Sequence, residues 1–320
     1  MPGLNGKTKV FTGTSNPKLT ERIVHYLDEK IEPIELTRFS DGEIRCELPT
    51  HVRDYHTFII QSTCNPVNDN VMELLIMADA LRRQHVKNIT AVIPYYGYAR
   101  QDRKPGFSRT PITSRLVADM LEMAGINQIV LVDIHSEQQL GFFRIPVINI
   151  SAAPEIVADI WRHHDPSKLV IVSPDTGGVA RARSIAKQID NVDLAIVDKR
   201  RPEANVAEVM NVIGDVEGKR CVIVDDMIDT AGTLCKAAKA LKDKGAEYVA
   251  AYATHPVFSG NALQNINDSV LDEVVVTDTI PLRDDFYQSC IRQISVSGLL
   301  AETIRRIRSK RSVSEIYTGH

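Results

Sequence analysis

The chain has 320 residues, of which 43% are hydrophobic and 25% charged, with a formal net charge of −3. That length suits two domains of roughly 150 residues each, and the composition excludes disorder over most of the chain. The near-neutral balance leaves no global basic field for a nucleic-acid backbone, so no nucleic-acid partner is expected and any polyanion must be met by local clusters.

From the N-terminus, short β-branched runs alternate with amphipathic helical patterns. A strand is predicted in "KVFTG" and another in "HTFIIQS", followed by a helix in "NDNVMELLIMADALRRQ". Next come strand "NITAVIPYY", helix "PITSRLVADMLEMAG" and strand "QIVLVDI". A boundary is placed near "NISAAPEIV", which gives domains 1–150 and 151–320, the last helix being free to pack back on the first. The second series runs "KLVIVSPD", helix "GGVARARSIAKQI", "DLAIVDK", "CVIVDD", helix "AGTLCKAAKALKDKG", "YVAAYATH", "DEVVVTD" and a final helix in "GLLAETIRRIRS". Continuous apolar strands separated by helices predict an α/β fold with mainly parallel sheets covered on both faces. The five cysteines are odd in number and lack CxxC spacing, which argues against a disulfide framework or structural zinc. No apolar run approaches the ~20 residues needed to cross a bilayer, and "MPGLNGKTKV" lacks the apolar core of a signal peptide. A soluble, cytoplasmic protein without a membrane partner is expected.

Several predicted strands end in acidic or polar residues, and ligands of open parallel sheets bind beyond the carboxyl ends of strands. The densest such end is "CVIVDDMIDTAGT", residues 221–233. A strand over 222–226 would deliver Asp225 and Asp226 on opposite sides of the backbone. Asp229, Thr230, Ala231, Gly232 and Thr233 then form a turn of small side chains entering a helix. Backbone N–H groups and the two threonine hydroxyls there can cradle a phosphate at a positive helix end. The carboxylate pair can accept vicinal hydroxyls or hold a hydrated magnesium ion. A phosphate at one end and a diol at the other describe ribose 5-phosphate; an acidic strand end with an ordinary N-cap is the plainer alternative. The segment resembles the phosphoribosyl-pyrophosphate motif of the type I phosphoribosyltransferase fold, carried alike by transferases, sensors and the synthetase of that metabolite.

The remaining motifs choose among these. "RFSDGEIR", "YGYARQDRKPGFSRTPIT", "VDIHSEQQLGFF", "VSPDTGGVARA" and "VDKRRP" stand in the order and spacing of the ribose-phosphate pyrophosphokinase family, which the chain resembles from about residue 8 to the last helix. The "ATHPVF" and "FSGNA" segments look like its allosterically regulated form. The resemblance implies two phosphoribosyltransferase-like domains, with Phe39, Asp41, Gly42, Glu43, Arg100, Gln101 and Asp102 at an ATP site, Phe39 stacking on adenine. It implies a regulatory flap around Arg103, Lys104 and Arg109, though a solvated basic loop is the default reading of that run. His135 and Asp175 are implied as magnesium ligands; His135 follows Asp133 by two on what reads as a strand, so the two side chains would share a face. Lys199 and Arg201 are implied as catalytic, Arg201 also touching ribose 5-phosphate beside Asp225, Asp226 and residues 229–233.

The implied reaction moves the β,γ-diphosphoryl group of ATP to the 1-hydroxyl of ribose 5-phosphate, with Mg2+ as cofactor. A homo-hexamer activated by inorganic phosphate and inhibited by ADP is implied as well. No GxxxxGK[ST] sequence is present, which argues against a P-loop kinase. A phosphoribosyltransferase or a non-catalytic subunit of the synthetase remain the alternatives.

Overall fold

The computed structural model describes residues 7–200 and 209–317. The chain divides into two compact units, Met1–Ser151 with Ser295–His320, and Ala152–Ile294.

The first unit opens with β1 (Thr8–Thr12), α1 (Pro17–Leu27) and a hairpin of β2 (Glu35–Arg38) and β3 (Ile44–Glu47). It continues through β4 (His56–Ile60), α2 (Val67–Arg83), β5 (Asn88–Ile93), α3 (Thr113–Ala124), β6 (Gln128–Val132) and β7 (Val147–Ile150). Five strands pair in parallel in the order β1-β4-β5-β6-β7, and the hairpin stands as its own antiparallel sheet. Helices α2 and α3 lay Leu74, Met77, Leu81, Val117 and Leu121 into one core with Ile59, Ile93 and Leu131 of the sheet. On α2 and α3 those residues recur at helical spacing, and β5 and β6 give the same core alternate residues, Ile89, Ala91 and Ile93, and Ile129 and Leu131.

The second unit comprises α4 (Ala153–His163), β8 (Leu169–Ser173), α5 (Val179–Gln188), β9 (Asp193–Arg200), β10 (Val209–Ile213), β11 (Arg220–Ile228), α6 (Gly232–Asp243), β12 (Tyr248–Pro256), the short α7 (Ala262–Asn267), β13 (Glu273–Thr277) and β14 (Ile291–Ile294). Its sheet has the order β10-β9-β8-β11-β12-β13-β14, parallel except for β10. From β8 the chain progresses outward through β9 on one side; from β11 it progresses through β12, β13 and β14 on the other. The direction of winding therefore reverses between β8 and β11, the kind of switch point where open α/β sheets bind ligands. Helix α6 buries Leu234, Ala237, Ala238 and Leu241, which recur at i, i+3, i+4 and i+7 on one face. Gly245, at φ 92°, turns the chain after it, a conformation that favours glycine. The last helix, α8 (Ser297–Ser309), belongs to the first unit, where it packs on α1 and Arg308 bonds Glu29 at 2.7 Å.

Among the described residues no helix is long and apolar enough to cross a membrane.

Candidate active site

In the second unit the acidic strand end lies at the switch point. Strand β11 pairs with β8 only as far as Ile223, but with β12 as far as Ile228. The strand thus outlasts the 222–226 span expected for it, and Asp225 and Asp226 stand on the stretch that has lost its β8 neighbour. Strict alternation would send the two carboxylates to opposite faces, and here the structure departs from the sequence reading. Asp225 Oδ1 curls back to accept the Asp226 N–H at 2.9 Å. Nη1 of Arg181 then reaches both carboxylates, at 3.4 Å from Asp225 Oδ1 and 3.5 Å from Asp226 Oδ1. Burial, together with the neighbouring Asp226, pushes the Asp225 carboxyl up to about 8, and Arg181 offsets only part of that rise. A pair crowded this far accepts a cation or hydroxyl donors readily, because either relieves the repulsion.

The next residues form the turn into α6. Asp229 and Gly232 are half-buried, Thr230 and Thr233 exposed, and Ala231 is buried at φ 63° and ψ −2°. No side chain caps the start of α6. A Cβ built on Gly232 meets nothing nearer than Thr230 Oγ1 at 4.0 Å, so the space over the turn is open. An uncapped helix start with open space above it is suited to an anion.

On the neighbouring strand β8, Ser173 leads into the loop 174–178. The exposed Asp175 there accepts the Gly178 N–H at 2.9 Å, and the Ser173 hydroxyl donates to the Asp175 carbonyl at 2.7 Å. A Cβ on Gly178 would fall 2.9 Å from Ser173 Oγ, so a side chain there would displace that hydroxyl from its bond. It launches α5, which carries Arg181 to the acidic pair. Lys199 lies near the end of β9, one strand beyond β8, and its side chain is outside the described residues. Arg201 lies outside them altogether.

In the first unit the implied nucleotide residues occupy two places. Phe39 to Glu43 form the tip of the β2–β3 hairpin, closed by Phe39 N–H to Glu43 O at 2.9 Å, with Gly42 at φ 95° and Asp41 Oδ1 accepting the Glu43 N–H at 3.1 Å. Phe39 is 53% exposed, a ring presented to solvent rather than to the core. Arg100, Gln101 and Asp102 follow β5. Their loop is pinned by the fully buried Gln139, which donates to the Ala99 carbonyl at 2.9 Å and accepts the Ser114 hydroxyl at 2.7 Å. Thr113 donates to Gln101 Oε1 at 2.5 Å, so Gln101 ties this loop to the start of α3. Arg103, Lys104 and Arg109 are exposed, Arg103 lying 3.5 Å from Asp102. His135 is exposed in the loop after β6, the strand beside β5. It does not share a strand face with Asp133: β6 ends at Val132, and Asp133 turns the chain at φ 38°.

Among the described residues, no three His, Cys, Asp or Glu side chains converge into a cage for a metal ion. Magnesium rarely uses one; it takes one or two carboxylates, substrate phosphates and its own waters. The exposed Asp175 and the crowded Asp225–Asp226 pair are oxygen donors of that kind, so the second unit fits such an ion.

The sequence reading misses Arg181, although its signal is available: it lies in "VARARSIAK" on the crossover leaving β8, the strand beside the acidic one. It also misses two contacts of the turn: Ser259, in a segment noted only for its resemblance, and Asn265, three residues beyond that segment.

Comparison with known proteins extends the picture to the whole chain. Residues 8–125 match the N-terminal domain of ribose phosphate pyrophosphokinase, and residues 195–318 the phosphoribosyl synthetase-associated domain. A ribose-phosphate pyrophosphokinase of Ralstonia nicotianae is 56% identical over 309 residues, covering 96% of this chain and 97% of its own. One from Chromobacterium violaceum is 57% identical over 310 residues, covering 96% and 94%. The crystal structure of phosphoribosylpyrophosphate synthetase from Mycobacterium smegmatis superposes with a TM-score of 0.89 at 39% identity, over 94% of this chain and 98% of that one.

Proposed function

The chain belongs to the ribose-phosphate pyrophosphokinase family, and from that premise we propose how its two units divide the reaction. The enzyme makes phosphoribosyl pyrophosphate from ATP and ribose 5-phosphate, the β,γ-diphosphoryl group passing to the 1-hydroxyl and AMP leaving.

The second unit holds the acceptor. The vicinal hydroxyls of the sugar donate to Asp225 and Asp226, and its phosphate takes the turn 229–233 at the uncapped start of α6. The first unit presents ATP, with adenine on Phe39, the "SDGE" turn of Asp41, Gly42 and Glu43 beside it, and Arg100, Gln101 and Asp102 toward the phosphates. Lys199 and Arg201 neutralise charge that builds on the transferring group, and Arg103, Lys104 and Arg109 flank the nucleotide as a flap. Mg2+ would be held on the nucleotide side by His135 and, in a second region, by Asp175, each with substrate oxygens, and when bound supplies positive charge to the phosphates. Acceleration comes from alignment and charge neutralisation, because phosphoryl-group transfer asks little covalent chemistry of the protein. A homo-hexamer activated by inorganic phosphate and inhibited by ADP completes the reading.

The observation that supports it best is the pairing, on one strand end at the switch point, of two crowded carboxylates with an uncapped helix start. Phosphorus NMR of a mixture with ATP, ribose 5-phosphate and magnesium tests it. AMP and a new diphosphoryl ester are expected; ADP, or no turnover, contradicts the reading.

A further inference from the structure

The turn after β11 is braced from behind by the segment that follows β12. Three successive carbonyls of the turn are held there: Ile228 O accepts the Phe258 N–H at 3.0 Å, Asp229 O the Ser259 N–H at 3.2 Å, and Thr230 O the Asn265 side-chain amide at 2.8 Å. In a planar trans peptide the carbonyl and the N–H point in opposite directions. Three carbonyls turned into the brace therefore aim the N–H groups of Asp229, Thr230 and Ala231 away from it, and these lead directly into the uncapped N–H groups of α6. The side chain of Asp229, which would repel a phosphate if it faced the turn's open side, instead accepts the Ser259 hydroxyl.

The brace is itself fixed. Phe258 is buried and stacks on Phe286 at 4.8 Å with the rings 8° from parallel, and Ala262 is fully buried. Asn265 donates its own N–H to Asn261 O at 2.9 Å, and its carbonyl accepts the Cys235 thiol of α6 at 3.3 Å. Opposing it is strain in the turn. Ala231 sits in the left-handed region at φ 63°, which disfavours alanine relative to glycine. Turning over the Thr230–Ala231 peptide would return Ala231 to negative φ and swing a carbonyl to the side where an N–H had been.

We propose that Asn265 and Ser259 are positioning residues for the acceptor, holding the peptide groups of the 229–233 turn with their N–H side toward the sugar phosphate. This rests on the reading that the turn takes the phosphate of ribose 5-phosphate. Neither residue needs to touch the substrate: Asn265 blocks the peptide flip, and Ser259 holds the Asp229 carboxylate aside.

Steady-state kinetics with each substrate varied in turn test the proposal on Asn265→Ala, Asn265→Asp, which keeps the shape but cannot donate, and Ser259→Ala. Losing one such hydrogen bond should raise KM for ribose 5-phosphate about tenfold, while KM for ATP stays within about twofold. Ala231→Gly in the Asn265→Ala background should recover most of the loss, because glycine accepts the left-handed conformation without strain; Ser259→Thr should keep the wild-type value. An unchanged KM for ribose 5-phosphate in the Asn265 variants overturns the proposal, as does an equal rise for both substrates, which would mark a general packing role. Asp226→Asn serves as the control: if it raises KM for ribose 5-phosphate and the Asn265 variants do not, the brace alone is refuted. If it too leaves that KM unchanged, neither the acidic pair nor the turn holds the sugar phosphate and both readings fall.

Discussion

Asp225 carries the clearest conflict between stability and function. With its carboxyl raised to about 8, the folded protein prefers it protonated, whereas the unfolded chain ionises it in the ordinary carboxylate range. The stability that protonation contributes is therefore complete at low pH and lost as pH climbs through the raised value. Asp225→Asn cannot ionise and is spared that loss. The variant should unfold at a higher temperature than the parent, with a gap larger at about pH 8 than at about pH 4. The side chain is 35% exposed, and solvent screening discounts the gain to about 1 kcal/mol. If Asp225 accepts a sugar hydroxyl as proposed, turnover should meanwhile collapse, since a neutral amide oxygen replaces the carboxylate. Thermal unfolding at the two pH values checks the first part; an Asp225→Asn variant less stable than the parent would show that Arg181 compensates the pair fully.

Among the elements, α4 is fastened to the sheet of the second unit by charge as well as by packing. Arg292 on β14 bonds both oxygens of the buried Asp159 on α4, at 2.8 and 2.7 Å, and Glu273 on β13 at 2.8 Å. Tyr252 on β12 donates to Asp159 at 2.9 Å. Burial disfavours the Asp159 charge, but the bonds from Arg292 and Tyr252 outweigh it and hold the carboxyl below its usual range. Its contribution is therefore present above the ordinary carboxylate pKa and lost as pH falls through the lowered one. Asp159→Ala leaves a partly buried guanidinium short of its partner and should cost roughly 3 kcal/mol by urea denaturation at neutral pH. A loss below about 0.5 kcal/mol would show the fastening to be idle.

The elements legible in the sequence are those with a long apolar signature. The strand containing "LVIVS" buries every side chain and the one containing "VIVDD" six of nine, and α6 shows its apolar face at helical spacing. Strands β2, β3, β7, β10 and β14 escape the sequence reading. Each is four or five residues long with at most one buried position among its described side chains, so no apolar run announces it. Within the site, the composition of the acidic turn is readable because side-chain chemistry defines it. The convergence of Asp225 and Asp226 on Arg181 is not, because it depends on where β8 stops pairing and on a carboxylate folding back along its own strand. The brace at Ser259 and Asn265 is equally hidden: it joins carbonyls, which every residue possesses, across two parallel strands.

At the scale of the molecule the two sheets are wound differently, and the difference bears on what each unit does. The first runs β1-β4-β5-β6-β7 in chain order, with no reversal, and its implied nucleotide residues sit on a separate hairpin and on loops after β5 and β6. The second reverses between β8 and β11, and the acidic pair, Arg181 and the braced turn all gather at that point. A crystal structure of the enzyme with ribose 5-phosphate tests the central claim most directly. The account predicts the phosphate within hydrogen-bond reach of the N–H groups of the 229–233 turn and the vicinal hydroxyls on Asp225 and Asp226. Density for the sugar phosphate at any other place, with that turn left empty, would contradict it.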